Sequence, residues 1–215
     1  MITAHRSQCD GEHQPGSKGC RSDTAHIDGS WRLWTTVDGA IADLSDSSRD
    51  RRANAGAWVW GHGYDRFGAD ERHRLVEALQ PVAEADPDPA ARAQAIAALV
   101  GLRVDGSVDL ALAALRSPDW GMRTIVASQI GPTGDPRVVD ALVVLLNDTD
   151  GYVREGAAIG LERQGDPRTV EPLRAMLRRG ERDTAAKASA KRAIRVLKKQ
   201  ASSTGRPTPP MRPDG

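Results

Sequence analysis

Residues 88–177 of this chain repeat one pattern three times. Asp88, Asp119 and Asp150 lie 31 residues apart, and each is followed four residues later by an arginine. A fixed period of this size predicts stacked helical repeats, in which each unit buries its apolar side against the next unit. Three apolar columns keep the same period: Leu99, Ile130 and Leu161; Val108, Val139 and Val170; Leu115, Leu146 and Leu177.

Each 31-residue unit predicts two helices. In the middle unit, Met122, Val126 and Ile130 form an apolar stripe at helical spacing. Glycine and proline follow Ile130 and end this helix, and Asp135-Pro136 begins the second, because aspartate caps a helix and proline suits its first position. The sequence therefore predicts an all-α fold, a solenoid of antiparallel helix pairs. The predicted buried stripe of the second helix consists of Val139, Leu142, Val143 and Leu146.

These features resemble HEAT repeats, in the subtype found in phycobilin lyases and many bacterial adaptor proteins. The resemblance rests on Asp-x-x-x-Arg at the start of the first helix, Gly-Asp-Pro-Arg at 134–137 and 165–168, and Leu-x-x-x-Leu in the second helix. It covers residues 86–197. It implies an α-solenoid but no single function, because such repeats serve scaffolds, lyases, hydroxylases and DNA glycosylases.

The repeated Asp and Arg residues favour a structural role. In repeats of this kind they bridge neighbouring units, so we expect a polar ladder between stacked helices. A ligand role for Arg92, Arg123 or Arg154 is the alternative.

Composition divides the chain into four parts. Residues 1–29 and 201–215 are polar or proline-rich without periodicity, and both are predicted to be disordered tails. Residues 30–68 form a tryptophan-rich N-terminal cap region, and residues 69–200 form the repeat array with a C-terminal capping helix. A zinc site in the first tail is the alternative to incidental residues, but no Cys-x-x-Cys spacing supports it. The residues concerned are His5, Cys9, His13, Cys20 and His26.

Four of the five tryptophans lie in the predicted cap region, at Trp31, Trp34, Trp58 and Trp60. Solenoids need their terminal units covered, so these aromatics are expected to close the exposed end of the first full repeat. A second interpretation is a ligand pocket, since aromatic residues are common in binding sites. That pocket would consist of Trp58, Trp60, His62 and Tyr64.

Charge and hydropathy exclude several classes of protein. The chain has 30 basic and 29 acidic residues, so no overall field favours nucleic acid or a membrane. No apolar run approaches the length of a transmembrane helix, and no signal sequence follows Met1. The two cysteines form no disulfide framework. We therefore expect a soluble, cytoplasmic protein with no membrane partner.

The outward positions of the second helices are the predicted binding surface, because second helices line the concave side of HEAT-like stacks. Carrying these positions through the period gives an acidic column, a small apolar column and a partial basic column. Arg137 with Asp140, and Arg168 with Glu171, lie at i, i+3 and are expected to pair. The columns are Asp109, Asp140 and Glu171; Ala113, Val144 and Ala175; and Gly106, Arg137 and Arg168. The predicted binding residues are Asp109, Arg137, Asp140, Val144, Arg168 and Glu171.

The array beyond His73 contains no histidine and no cysteine. It therefore lacks the usual imidazole bases, thiol nucleophiles and metal ligands, which favours a non-enzymatic protein with no cofactor and no metal. The expected function is an interaction scaffold that binds a basic peptide segment of a protein partner on its concave face. A nucleic-acid-binding protein using the basic stretch 178–199 is one alternative. A lyase that acts with a partner subunit, as the resemblance implies, is another.

Overall fold

The computed structural model describes residues 36–204, and this part of the chain folds into ten α-helices and two short 3-10 turns. Strands are absent from these residues, so the prediction of an all-α fold is confirmed. The helices are α1 (Val37–Leu44), α2 (Arg49–His62), α3 (Ala69–Ala85), α4 (Pro89–Gly101), α5 (Ser107–Ala114), α6 (Trp120–Gln129), α7 (Pro136–Leu145), α8 (Gly151–Gln164), α9 (Val170–Arg178) and α10 (Thr184–Thr204).

Helices α2 to α9 form four successive repeats of two helices, which are α2/α3, α4/α5, α6/α7 and α8/α9. Helices α3, α7 and α9 pack mainly on the first helix of the following repeat, which is α4, α8 and α10 respectively. The first helices of successive pairs, α2, α4, α6 and α8, pack directly against one another, and α10 continues this row. Helix α1 packs on α2 and α3 and covers the first pair. The architecture is therefore an α-solenoid of HEAT-like helix pairs.

Aspartate starts the first helix in each of the three repeats found in the sequence. Asp88 accepts a hydrogen bond from the backbone N–H of Ala91 at 2.9 Å, and Asp119 accepts one from Met122 at 2.6 Å. Asp150 caps α8 in the same way. Each cap satisfies backbone donors that the helix cannot. These capping aspartates recur with the 31-residue period that the sequence displays.

Glycine lets the first helices approach closely. A Cβ atom on Gly160 of α8 would lie 2.3 Å from the carbonyl oxygen of Ala127 in α6, and one on Gly156 would lie 2.9 Å from that of Thr124. Gly56 of α2 faces the backbone of α4 in the same manner. Only a residue without a side chain permits this spacing, so the row of first helices is the tightly packed layer of the solenoid.

The prediction of the buried stripe of α7 was partly wrong. Val138, Leu142, Leu145 and Leu146 are buried, whereas Val139 and Val143 are only half-buried. The reason is that apolar residues occupy most of α7, so helical periodicity could not show which side faces the core.

Helix α2 is a first helix that the period did not reveal. Ser48 and Arg52 hold the places that Asp88 and Arg92 hold in α4, but the two caps are 40 residues apart instead of 31. The longer α3 accounts for the difference. Trp58 and Trp60 therefore belong to a helix.

Several predictions fall partly or wholly on residues that the structure does not describe. Residues 1–35 include Trp31, Trp34 and the five candidate zinc ligands, and residues 205–215 include most of the predicted C-terminal tail. The repeat array with its capping helix was predicted to end at residue 200, but α10 runs to Thr204. None of the helices between residues 36 and 204 is long and apolar enough to cross a membrane.

Candidate functional site

An ion-pair ladder joins successive first helices, as the repeated Asp and Arg residues predicted, but the carboxylates differ from those expected. Arg123 donates from Nε and Nη2 to the carboxylate of Asp148 at 2.9 and 3.0 Å. Arg154 makes the same contact with Glu181, and Arg52 makes it with Asp86. We call these three pairs the carboxylate–arginine ladder.

The ladder carboxylates lie two residues before the next helix cap and also accept its backbone N–H. Asp148 accepts from Asp150, and Glu181 accepts from Asp183 at 2.8 Å. Asp88, Asp119 and Asp150, which were predicted to bridge neighbouring units, cap their own helices. Of these three, Asp88 also bridges to the preceding repeat, through an ion pair with Arg49 at 3.7 Å. Each arginine thus ties its helix to the turn before the next one. This geometry supports the structural interpretation of Arg123 and Arg154.

The ladder shifts the pKa values of its acids. The hydrogen bond from Arg52 lowers the pKa of Asp86, and the one from Arg154 lowers the pKa of Glu181. Burial raises the pKa of Asp148, but hydrogen bonds from Arg123 and the backbone outweigh burial, so the net shift is downward. These carboxylates are therefore held in the charged form.

A groove opens between α5 and α7, on the row of second helices where the sequence placed the binding surface. Its volume is about 480 Å³. Val144 is 69% exposed, although it is a large apolar residue, and the small side chains of Ala113 and Ala141 leave the space open. The lining residues of this α5–α7 groove are Asp109, Leu112, Ala113, Leu115, Arg116, Arg137, Asp140, Ala141, Val144 and Leu145.

The expected i, i+3 ion pairs do not form. Arg137 binds Asp109 of the preceding pair at 2.9 Å and the cap Asp135 at 2.6 Å, instead of Asp140. The pairing fails because the helix cap fixes the carboxylate of Asp135 beside the guanidinium group. Within residues 36–204, the carboxylate of Asp140 therefore has neither a hydrogen bond nor an ion pair, although its charge attracts Arg168 of the next repeat without direct contact.

The structure places the six predicted binding residues in two groups. Four of them, Asp109, Arg137, Asp140 and Val144, line the α5–α7 groove. Arg168 binds the cap Asp166 at 2.6 Å, and Glu171 binds Arg178 and Arg174 on its own helix. The acidic column is thus largely neutralised by arginines. The column therefore repels anions less strongly than three unpaired carboxylates would.

Residues of the alternative aromatic pocket belong to three separate contacts. Trp58 packs against His62, with ring centroids 4.2 Å apart. Trp60 donates its indole N–H to the carbonyl oxygen of Gln129 at 2.8 Å, and Arg163 lies over its ring. Tyr64 is contacted by arginines instead of by the tryptophans. Both tryptophans are half-buried against the core, as expected of aromatics that cover it.

Two exposed features were not predicted from the sequence, an aromatic pair and an arginine in an unusual backbone conformation. Trp120 and Tyr152, which begin α6 and α8, are 51% and 60% exposed and stack with centroids 5.7 Å apart. Arg103 carries a positive φ of 59°. The sequence could have indicated that Arg103 is unusual, because glycine occupies the equivalent positions 134 and 165. Gly134 and Gly165 also have positive φ. No period could predict that Trp120 and Tyr152 would meet, since they occupy different positions within their repeats.

Metal binding has no support in the described residues. No group of three or more His, Cys, Asp or Glu side chains between residues 36 and 204 is arranged to hold a metal ion.

Comparison with known proteins identifies the repeats. A family model described as HEAT repeats matches residues 76–143 and 108–195, which together span more than half of the chain. The chain belongs to the HEAT-repeat family. The repeats confirm the resemblance seen in the sequence, and they indicate a protein-interaction scaffold. No curated protein sequence matches this chain.

Two solved structures are similar to this HEAT protein. The complex of CpcE and CpcF of phycocyanin lyase from Nostoc sp. PCC7120 matches with a TM-score of 0.54 and 19% identity, over 90% of this chain and 71% of the other. An engineered protein matches with a TM-score of 0.44 and 16% identity, over 76% of this chain and 97% of the other. At 19% identity, the first match supports the α-solenoid fold and nothing finer.

Proposed function

We propose that this HEAT protein is a non-enzymatic scaffold that binds a peptide segment of a protein partner in the α5–α7 groove. The observation that carries this proposal is the combination of an apolar lining, an exposed Val144 and one unpaired carboxylate at Asp140. Burying Val144 and the neighbouring alanines against a partner removes apolar surface from water, which supplies the main driving force of association.

The charges of the groove define the partner segment more closely than the sequence did. Arg137 already neutralises Asp109, so Asp140 is the acid and Arg116 the cation that remain for a partner within the groove. One carboxylate beside apolar walls suits a segment in which a Lys or Arg lies next to an apolar side chain. The proposed segment is therefore less basic than the peptide that three unpaired acids would favour.

The first structural match supports a protein partner. The phycocyanin lyase in that structure is a complex of two proteins, CpcE and CpcF. A solenoid of this fold thus occurs in an assembly with a second polypeptide, although the fold alone transfers no substrate and no catalytic residue to this chain.

Selection of peptides from a random library on the immobilised protein tests the proposal. We expect enrichment of sequences with an apolar residue beside Lys or Arg. Ala113→Trp fills the groove from an exposed position and should weaken binding of the selected peptides at least about tenfold, a loss of ~1.4 kcal/mol. Ala188→Trp, at an exposed position on α10, is the matched control and should leave binding unchanged.

The outcome with Asp140→Asn separates the two parts of the proposal. This change keeps the shape of the side chain and removes its charge, so it should abolish the preference for Lys or Arg while apolar residues remain enriched. If selected peptides bind Ala113→Trp as tightly as the wild type, the groove is not the binding site.

Helix α10 supports a second candidate, an anionic partner such as nucleic acid. Lys187, Lys191, Arg195 and Lys198 are exposed, and no ion pair holds their side chains within residues 36–204. Four cations along one helix suit contacts with successive phosphates. Reversal of all four charges to Glu should then abolish single-stranded DNA binding in a fluorescence anisotropy assay. Absence of DNA binding by the wild type at low salt would exclude this candidate.

A further inference from the structure

Arg103 breaks the repeat at a position where glycine is favoured. Gly134 and Gly165 hold the equivalent positions one and two periods later, with φ of 72° in both. Arg103 adopts the same left-handed backbone with φ of 59°, although its Cβ makes this conformation unfavourable. Nothing in the turn itself calls for arginine, since glycine serves in the other two repeats. A side chain kept at the expense of backbone strain points to a function for that side chain.

The guanidinium group of Arg103 lies on an aromatic ring beside a second cation. Its central carbon is 4.7 Å from the ring centroid of Tyr64, and that of Arg72 is 4.4 Å from the same centroid. Such cation–π contacts hold both groups in place without using their N–H donors on a carboxylate. Arg72 also donates to the backbone carbonyl of Phe67, which anchors it further.

The three polar groups at this ring retain hydrogen-bond donors that no other described residue uses. Within residues 36–204, neither Arg103 nor Arg72 forms an ion pair, and the hydroxyl group of Tyr64 has no hydrogen-bond partner. Two guanidinium groups over the ring and the phenol hydroxyl thus bring positive charge and N–H and O–H donors to one aromatic side chain. Arginine forks match the oxygens of phosphate and carboxylate groups.

Space for a ligand lies beside Arg103. A cavity of about 530 Å³ opens between the turn that joins α4 to α5 and the turn after α6. Arg103 lines it together with Val104, Ser107 and Thr133, and Asp105 is the acidic residue in its wall. Neither Tyr64, Arg72 nor Arg103 belongs to the α5–α7 groove, so this site is separate from the proposed peptide groove.

We propose that Arg103, Arg72 and Tyr64 form a binding site for a phosphate monoester. Two arginines at one ring favour a dianion over a single carboxylate, because a dianion neutralises both charges at once. The phosphate group accepts hydrogen bonds from both guanidinium groups and from the Tyr64 hydroxyl at the ring edge. The rest of the ligand extends toward the cavity beside Arg103.

Titration of the full chain with inorganic phosphate at pH 7.5 and constant ionic strength tests the site. The readout is the Nε–Hε signals of arginine in 1H–15N correlation spectra. We expect saturable shifts for Arg72 and Arg103, and a half-saturation concentration about tenfold higher for Arg103→Gly, the loss expected for one charge-assisted hydrogen bond. Acetate, a monoanion, should also bind at least about tenfold more weakly than phosphate.

Two controls make the result decisive. Arg103→Gly restores the residue of the other repeats, so its melting temperature should be unchanged or raised. Arg51→Ala removes the same charge from an exposed position near the start of α2 and should leave phosphate binding unchanged. Equal half-saturation for wild type and Arg103→Gly, equal binding of acetate, or shifts that never saturate would each overturn the proposal.

Discussion

The carboxylate–arginine ladder has one missing rung, and restoring it should stabilise the protein. The ladder acids Asp86 and Asp148 are 62 residues apart, and the position midway between them is Ser117. Ser117 still accepts the backbone N–H of the cap Asp119 at 3.2 Å. It offers no charge to Arg92, whose guanidinium group forms no hydrogen bond or ion pair within residues 36–204. Ser117→Asp should supply the missing partner.

The existing ion pairs of the ladder indicate how much stability Ser117→Asp should add. In the Arg123–Asp148 pair, two hydrogen bonds of 2.9 and 3.0 Å join side chains that are only 14% and 10% exposed. Such shielding makes the pair stronger than an exposed one, which contributes about 0–1 kcal/mol, but desolvation of both charges offsets part of the gain. We expect a net stabilisation of ~1 kcal/mol, or a rise in melting temperature of about 2–4 °C for a domain of this size.

A double-mutant cycle identifies the cause of any gain. Differential scanning calorimetry at pH 7 compares Ser117→Asp in the wild type and in Arg92→Gln. Ser117→Asn, which has a similar shape without the charge, is the control and should give little of the stabilisation. If Ser117→Asp raises the melting temperature equally when Arg92 is replaced, the new carboxylate acts only as a cap. It then does not pair with Arg92.

Three further changes test the packing and the electrostatics of the array. Gly160→Ala should destabilise the protein by about 1–3 kcal/mol in urea unfolding, because its Cβ would meet a backbone carbonyl oxygen of α6. Gly61→Ala in α2 is the control, because nothing lies close to the added Cβ, and it should stabilise the protein by up to about 1 kcal/mol. Leu146→Ala should cost ~2–5 kcal/mol and Asp140→Ala under ~0.5 kcal/mol; equal shifts of their urea midpoints would contradict the assigned burial. The three ladder carboxylates have lowered pKa values in the folded state, so they stabilise it above the unfolded pKa of about 4, and this contribution disappears as pH falls further. The melting temperature should therefore fall below about pH 4, and Asp148→Asn should make that fall smaller; an unchanged pH profile would show that the ladder is not responsible.

The sequence alone determined the fold through its local chemistry. Asp88, Asp119 and Asp150 cap helices because an aspartate side chain accepts backbone N–H groups close to it in the chain, and this requires no tertiary contact. The period of these caps, together with the apolar columns, was sufficient to predict stacked helix pairs and the exposure of Asp140 and Val144.

The tertiary structure decided which charged groups meet. Arg137 pairs with Asp109 of the preceding repeat and Arg123 pairs with Asp148, because the stacking of helices sets these contacts and spacing along the chain does not. The same holds for Arg103, which reaches Tyr64 only because α4 ends beside the turn after α2. Helix caps are local and can be read from sequence, whereas the pairing of Arg137 with Asp109 and the two arginines over Tyr64 arise from packing between repeats.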